Sequence, residues 1–417
     1  MKLKIEIRSL LVLVFLSEIA LGQSSVGLGG SPKPTLPAPS GSYALGRQAF
    51  HWIDPARVDE FSSAPGNHRE LMVYIWYPAQ PSRGTTPAEY FPGASVIAKN
   101  PSTERAARDM FGPAWSQIAA GTLRSHAIAN ALPVTNRGGF PVVLFSHGSS
   151  STGFGYTAQI ENLVSHGYVV VAIEHPGLAG LVRFSDGHIR LFQVSPSSPA
   201  ASKDPMRAAV NSAEERTQTG AEDVKFVLDT LARKKNALVS VMNLNRVAAI
   251  GHSAGGTVTA RACQMERRIK ACISEDGEVN PVGVFFDYPD HARMTQPFLL
   301  IEIDEQHTDQ ELARMGESRA QWNDYLAHAR EQLNSCAAGS YHVVLSIPSL
   351  VHSSFSDGLL INSPPVSAEA SSALSNLELT ELLELGFLDS ALKVDNAPPF
   401  NRVAKSSADI KVTPIGQ

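Results

Sequence analysis

Short apolar runs rich in Val, Ile and Phe alternate along the chain with longer segments whose apolar residues recur every three or four positions. The short runs predict strands at Leu71–Tyr77, Pro141–Ser146, Tyr168–Ile173, Arg246–Ile250, Ile269–Ser274, Pro297–Ile303 and His342–Ile347. From Pro141 onward they are apolar on both faces, as central strands of a mostly parallel sheet covered by helices must be. The periodic segments predict helices at Thr157–Ser165, Ala213–Lys235, Gly256–Glu266, Gln310–Asn334 and Asn376–Lys393; in the second, Val224, Val227, Leu228 and Leu231 share one face. A strand-helix alternation sustained this long argues for one doubly wound α/β domain with insertions. The stretch from Pro81 to Gly139 shows no clear period.

The ends of this pattern carry different signals. Residues 1–22 begin with Lys2, Lys4 and Arg8, continue through the apolar run Leu10–Leu16 and close on Ala20-Leu21-Gly22, the layout of a signal peptide. The run is well short of the roughly 20 apolar residues that span a bilayer, so cleavage and a secreted or periplasmic protein with no stable membrane span are expected. Residues 23–42 are Gly, Ser and Pro with few apolar anchors, the composition of a linker or loose arm. Polar Pro/Ser-rich stretches at Ser195–Ser202 and Asn362–Ser371 predict surface loops. The folded body is then expected at 43–417, with a C-terminal helical extension at about 373–395.

Composition narrows the partners. The 417 residues are 43% hydrophobic and 18% charged, with a net charge of −5, which excludes disorder and coiled coil. There is no basic run to follow a phosphate backbone, so nucleic acid is not an expected partner. Cys263, Cys272 and Cys336 allow at most one disulfide, and their spacing matches no zinc pattern.

Gly251-His252-Ser253-Ala254-Gly255 matches G-x-S-x-G. Chance gives that pattern in roughly one chain in seven of this length, but here a buried-strand run leads into it and a small-residue helix leads out. That context predicts a tight turn presenting the Ser253 hydroxyl at the carboxyl edge of the sheet, with Gly251 and Gly255 sparing neighbouring backbone. A serine hydroxyl needs a base, and the base needs a carboxylate to orient it. Of the later histidines, His291, His307, His328, His342 and His352, only His352 lies in a loop just past the last expected strand. For the acid, Asp276 and Asp304 each end a strand and each preserve the order Ser, Asp, His; Glu275 and Glu302 should point the other way. The oxyanion requires two backbone donors: Ala254 at the start of its helix, and Ser149 in the turn after Phe145-Ser-His-Gly148. His147 is expected to brace that turn.

The ordered segments Phe140–Gly148, Leu163–His175, Gly251–Gly256 and Leu350–Asp357 resemble the group II (plasma-type) platelet-activating factor acetylhydrolases and their bacterial secreted relatives. That resemblance implies an α/β-hydrolase fold and a calcium-independent serine esterase without cofactor or metal. It also implies a small-molecule ester or phospholipid substrate with a short or oxidised acyl chain. It favours Asp276 over Asp304, because the family's acid lies on the strand after the nucleophile helix, and it maps the oxyanion donors onto Ser149 and Ala254. Two features depart from the family: Glu278 stands where the animal enzymes have an aromatic, and the Pro/Ser-rich insertions are additional. The apolar stretch Val279–Tyr288 is a candidate pocket lining. The rival readings are a polyester or dienelactone-type hydrolase or peptidase that uses Asp304, and a binding protein that has lost chemistry on the same fold.

Overall fold

Alternation of side chains along each strand divides the apolar residues between two faces of one large sheet, and helices cover both. The computed structural model describes residues 35–62, 66–81, 84–193, 205–277, 294–304, 307–314, 318–334, 336, 339–364, 366–392, 399–405 and 407–415. The expected signal peptide, most of the 23–42 segment, the Ser195–Ser202 loop, Glu278 and Val279–Tyr288 lie outside the described residues.

The chain enters through β1 (Ala44–Val58) and β2 (His68–Ala79), crosses three short helices, α1 (Ala94–Ile97), α2 (Pro101–Phe111) and α3 (Trp115–Ala119), and touches β3 (Ile128–Ala129). There follow β4 (Phe140–Ser146), α4 (Thr157–Ser165), β5 (Val169–Glu174), a small hairpin of β6 (Leu181–Arg183) and β7 (Ile189–Leu191), and α5 (Pro205–Arg233). Next come β8 (Met242–His252), α6 (Ala254–Met265), β9 (Ile269–Glu275), β10 (Phe298–Ile303), α7 (Asp309–Arg314), α8 (Arg319–Asn334) and β11 (Ser340–Leu345). The chain closes with α9 (Gly358–Asn362), α10 (Ala368–Ala391), α11 (Phe400–Val403) and β12 (Ile410–Ile415).

Among the described residues, ten strands form one sheet in the order β12-β11-β10-β9-β8-β4-β5-β2-β1-β3. The six from β11 to β5 are parallel, and β2, β1 and β12 join antiparallel at the outside. On β4, Val142 and Leu144 face α5 and α6, whereas Val143 and Phe145 face α4 and α10. The α5 residues Val224, Val227, Leu228 and Leu231 are buried as their spacing requires. The mostly parallel α/β-hydrolase sheet expected from the sequence is therefore present.

Between β4 and β8 the chain reverses its direction of travel across the sheet: β4 leads through α4 to β5 on one side, and β8 lies on the other. Loops leaving the carboxyl ends of two such strands diverge and leave a crevice. The turn after β4 and the elbow after β8 border this crevice.

The described part of the 23–42 segment, residues 35–42, is not a loose arm. Leu36 is buried, and Ser40 N–H and Oγ–H both donate to Asn162 Oδ1 at 2.9 Å. Gly41 lets the chain lie against α4, where a Cβ would stand 2.2 Å from the Ser165 carbonyl oxygen. A composition read as flexibility thus includes a glycine needed for close approach. The expected helix Gln310–Asn334 is two helices, α7 and α8, and the C-terminal helix starts earlier than expected, at Ala368.

Candidate active site

Ser253 caps α6 with φ 55° and ψ −126°, a backbone conformation that non-glycine residues rarely adopt and that costs of order 1–3 kcal/mol. Its N–H donates to the Glu275 carbonyl at 2.8 Å, tying the elbow to the end of β9. The strained turn fits only because its flanks lack side chains. A Cβ at Gly251 would stand 2.1 Å from the Gly255 carbonyl oxygen, and one at Gly255 would stand 2.1 Å from that of Ser146. The serine is half-buried and directly follows the carboxyl end of β8.

Asp276 follows β9 in a left-handed conformation, φ 49°, which Asp tolerates better than most residues. Its N–H donates to the Ile301 carbonyl at 2.7 Å, and its Oδ1 accepts from Ile303 N–H at 3.2 Å. The other oxygen, Oδ2, is 2.5 Å from His352 Nδ1. His352 opens a 3₁₀ turn, His352–Phe355, with its side chain 27% exposed, and its ring centroid is 4.6 Å from that of His252 in the elbow. Asp304, in contrast, is exposed and accepts from Ser346 Oγ at 2.7 Å. Glu275 points into the core toward Gln159, and Glu302 pairs with His342 Nε2 at 2.6 Å.

The turn after β4 runs beside the elbow, since a Cβ on Gly148 would stand 3.5 Å from Ser253 Cβ. Ser149 follows, and Ser150 takes φ 55° and donates its N–H to the Leu178 carbonyl at 2.8 Å. Among the described residues, neither Ser149 N–H nor Ala254 N–H has an acceptor. His147 beneath the turn is fully buried, which pushes its pKa down to about 3; neutral, it donates from Nδ1 to the Gly148 carbonyl and accepts His175 N–H at Nε2. That is a brace.

Below the turn lies a second serine-histidine-aspartate set that the sequence reading did not single out. His175 Nε2 is 3.1 Å from Ser146 Oγ, and its Nδ1 is 3.0 Å from Asp223 Oδ2. Burial works against the Asp223 carboxylate, but Arg69, His175 and Arg57 around it hold its pKa well below the usual range. All three members are enclosed, Ser146 and His175 at 1% exposure and Asp223 at 0%, so no ester reaches them. They join β4, the end of β5 and α5 as a structural network.

Three further polar side chains at the site were given no role by the sequence reading. His252, the variable second position of the pentapeptide, is buried and 2.8 Å from Tyr156 Oη through Nδ1; its Nε2 is 2.9 Å from the His352 carbonyl oxygen. Tyr156 Oη also accepts Gly148 N–H at 3.1 Å. Asp357, five residues past His352, accepts from Thr157 N–H at the start of α4 and from Tyr90 Oη, and burial pushes its pKa up to about 8. This holds the His352 loop against α4. Among the described residues there is no cluster of ligands suited to a metal ion, and no helix is long and apolar enough to cross a membrane.

The model of the alpha/beta hydrolase family matches residues 143–386, and that of platelet-activating factor acetylhydrolase, isoform II, matches residues 28–181. A probable 1-alkyl-2-acetylglycerophosphocholine esterase of Arthroderma benhamiae is 28% identical over 58% of this chain and 58% of its own length. A platelet-activating factor acetylhydrolase of Cavia porcellus is 25% identical over 57% of this chain and 53% of its own. The chain thus spans little more than half the length of these relatives. A ferulic acid esterase from Streptomyces cinnamoneus has the same fold, with a TM-score of 0.66 at 23% identity over 91% of this chain and 99% of that one.

Proposed function

The chain belongs to the alpha/beta hydrolase family, and we propose that it is an exported serine ester hydrolase, similar to the platelet-activating factor acetylhydrolases, that cleaves short acyl chains. The observation that carries this reading is the 2.5 Å contact between His352 Nδ1 and Asp276 Oδ2, with the same imidazole ring 4.6 Å from that of His252 in the strained elbow that presents Ser253. An Asp at Nδ1 fixes the tautomer in which Nε2 carries the lone pair that accepts a proton.

In this mechanism Ser253 Oγ attacks the ester carbonyl carbon while His352 takes its proton. The carbonyl oxygen gains the negative charge, and the N–H groups of Ser149 and Ala254 receive it, helped by the start of α6. Collapse of the intermediate breaks the bond to the alcohol, which leaves with the proton from His352. Water, deprotonated by His352, then attacks the acyl-enzyme and releases the acid and Ser253. No step needs a metal or an organic cofactor.

Export is supported by the signal-peptide pattern of residues 1–22 and by the Cys263–Cys272 disulfide, a bond of oxidising compartments. The names of the relatives support an acetylated or otherwise short-chain phospholipid as substrate. The test is a series of initial rates on aryl esters of increasing acyl length, beside a phospholipid with a short second chain. A steep fall beyond a few carbons, with turnover of the phospholipid, is expected; a flat profile without phospholipid turnover would reject the acetylhydrolase-like specificity and leave a general esterase.

A further inference from the structure

The following rests on the esterase reading above. Three loops meet at Ser253, and they come from distant parts of the chain: the turn after β4, the elbow after β8 and the His352 loop after β11. Productive geometry requires all three to hold one register, because a misplacement of about 1 Å at an active site costs about 10²-fold in rate. The hydrogen bonds of Tyr156 and His252 run through all three.

The direction of these bonds is fixed by elementary chemistry. The His352 carbonyl oxygen, 2.9 Å from His252 Nε2, can only accept, so Nε2 carries the hydrogen. In the neutral ring Nδ1 is then a lone pair, and it takes the Tyr156 hydroxyl hydrogen across 2.8 Å. The Tyr156 oxygen in turn accepts Gly148 N–H at 3.1 Å. Gly148 N–H, Tyr156 O–H and His252 Nε2–H thus form one head-to-tail chain in which every ring nitrogen and the phenol oxygen are used. Burial, reinforced by the neighbouring His352, keeps the pKa of His252 well below the ordinary histidine value, so the ring stays neutral when His352 takes up its proton. Tyr156 and His252 are 1% and 4% exposed, where directional bonds are not exchanged for water.

We propose that Tyr156 and His252 are positioning residues, a hydrogen-bonded clamp that fixes the oxyanion turn, the nucleophile elbow and the backbone of His352 in one arrangement before substrate arrives. Neither side chain touches the reacting atoms. Tyr156 acts through Gly148, whose peptide precedes the Ser149 donor, and His252 acts through the base's own carbonyl.

The test is steady-state hydrolysis of p-nitrophenyl acetate by full-length wild type, Tyr156→Phe and His252→Asn. Rates are expressed per active site, titrated with a fluorophosphonate. Tyr156→Phe removes only the hydroxyl and leaves Gly148 N–H and His252 Nδ1 unpaired; His252→Asn keeps an acceptor for Tyr156 and loses the bond to His352. The expected result is a fall in kcat per titrated site of about 10- to 100-fold in each, with KM changed less than about threefold. The double variant should be no slower than about the worse single, as for links of one chain. A role confined to packing would lower the melting temperature and the number of titratable sites while leaving kcat per site unchanged. That outcome, or a loss seen only in KM, overturns the clamp. If Tyr156→Phe does not fold, His252→Asn carries the same comparison. Wild type that neither hydrolyses the ester nor takes the label would instead overturn the esterase reading itself.

Discussion

Gly255→Ala tests whether the elbow and the oxyanion turn are one mechanical unit. A methyl group at this position would stand 2.1 Å from the Ser146 carbonyl oxygen and 2.5 Å from that of His147, both backbone atoms. Such contacts do not occur below 3.0 Å, so the start of α6 and the end of β4 must part by about 0.9 Å. Neither side yields easily: β4 is held between β5 and β8, and α6 by its buried face and the Cys263–Cys272 bond. Overpacking of this kind costs about 1–3 kcal/mol, which lowers the melting temperature by a few degrees in a domain of this size. The catalytic loss should be larger in relative terms, because the same displacement separates the Ser149 and Ala254 donors. Removal of one oxyanion donor is worth about 10²–10³ in kcat, or about 2.7–4 kcal/mol. The assay pairs kcat/KM on p-nitrophenyl acetate with a thermal melt. A variant that melts within a few degrees of wild type yet loses about 10²-fold or more fits the reasoning; one with wild-type kcat/KM refutes the coupling of the two loops.

Asp276→Asn should lower kcat by about 10⁴, since an amide at Oδ2 favours the wrong histidine tautomer, whereas Asp304→Asn, at an exposed carboxylate that accepts from Ser346 Oγ, should stay within about threefold; the reverse ranking in parallel kinetics would transfer the acid's role to Asp304. Burial pushes the pKa of Glu275 up to about 7, and burial together with Glu275 raises that of Glu384 well above the ordinary 4.5. The native state therefore keeps protons that the unfolded chain releases above about pH 4.5, and stability falls as pH rises from there through about 7. Glu384→Gln should flatten that decline in melts between pH 5 and 8, and parallel curves for variant and wild type would contradict it. Replacement of Cys263 and Cys272 together by Ala should cost about 2–3 kcal/mol in urea unfolding, the loop-closure value for so short a loop, and an unchanged midpoint would show that the bridge adds nothing.

The parallel strands were legible because they are buried on both faces and leave continuous apolar runs: β4, β5, β8, β9, β10 and β11 each overlap an expected strand. The outer strands β1 and β12 were not. β1 carries Arg47, Gln48, His51, Asp54 and Arg57 among its apolar residues, and β12 carries Lys411, Thr413 and Pro414, so neither shows a run that exceeds its surroundings. The stretch between Pro81 and Gly139 lacked a period because its helices are as short as α1 and α3, and its order comes from an aromatic cluster of Tyr90, Phe91, Phe111 and Trp115 with Phe154. At the site, Ser253 was legible from its glycines and its strand-helix context, and His352 from its place after the last parallel strand. Residue order left Asp276 and Asp304 equal, and family resemblance separated them. Tyr156 and His252 gave no signal, since the position between Gly251 and Ser253 is unconstrained in the motif and Tyr156 precedes α4 by one residue. Only the approach of three loops brings that pair together.

The most direct measurement of the central claim is peptide mapping by mass spectrometry after treatment with a fluorophosphonate, which reacts with a serine only when a base and an oxyanion site converge on it. The expected result is one adduct per chain, carried by the peptide that contains Ser253, formed far more slowly in His352→Ala and in Asp276→Asn. An adduct on another residue, or ester hydrolysis at the native rate by a chain that takes no label at Ser253, would contradict the claim.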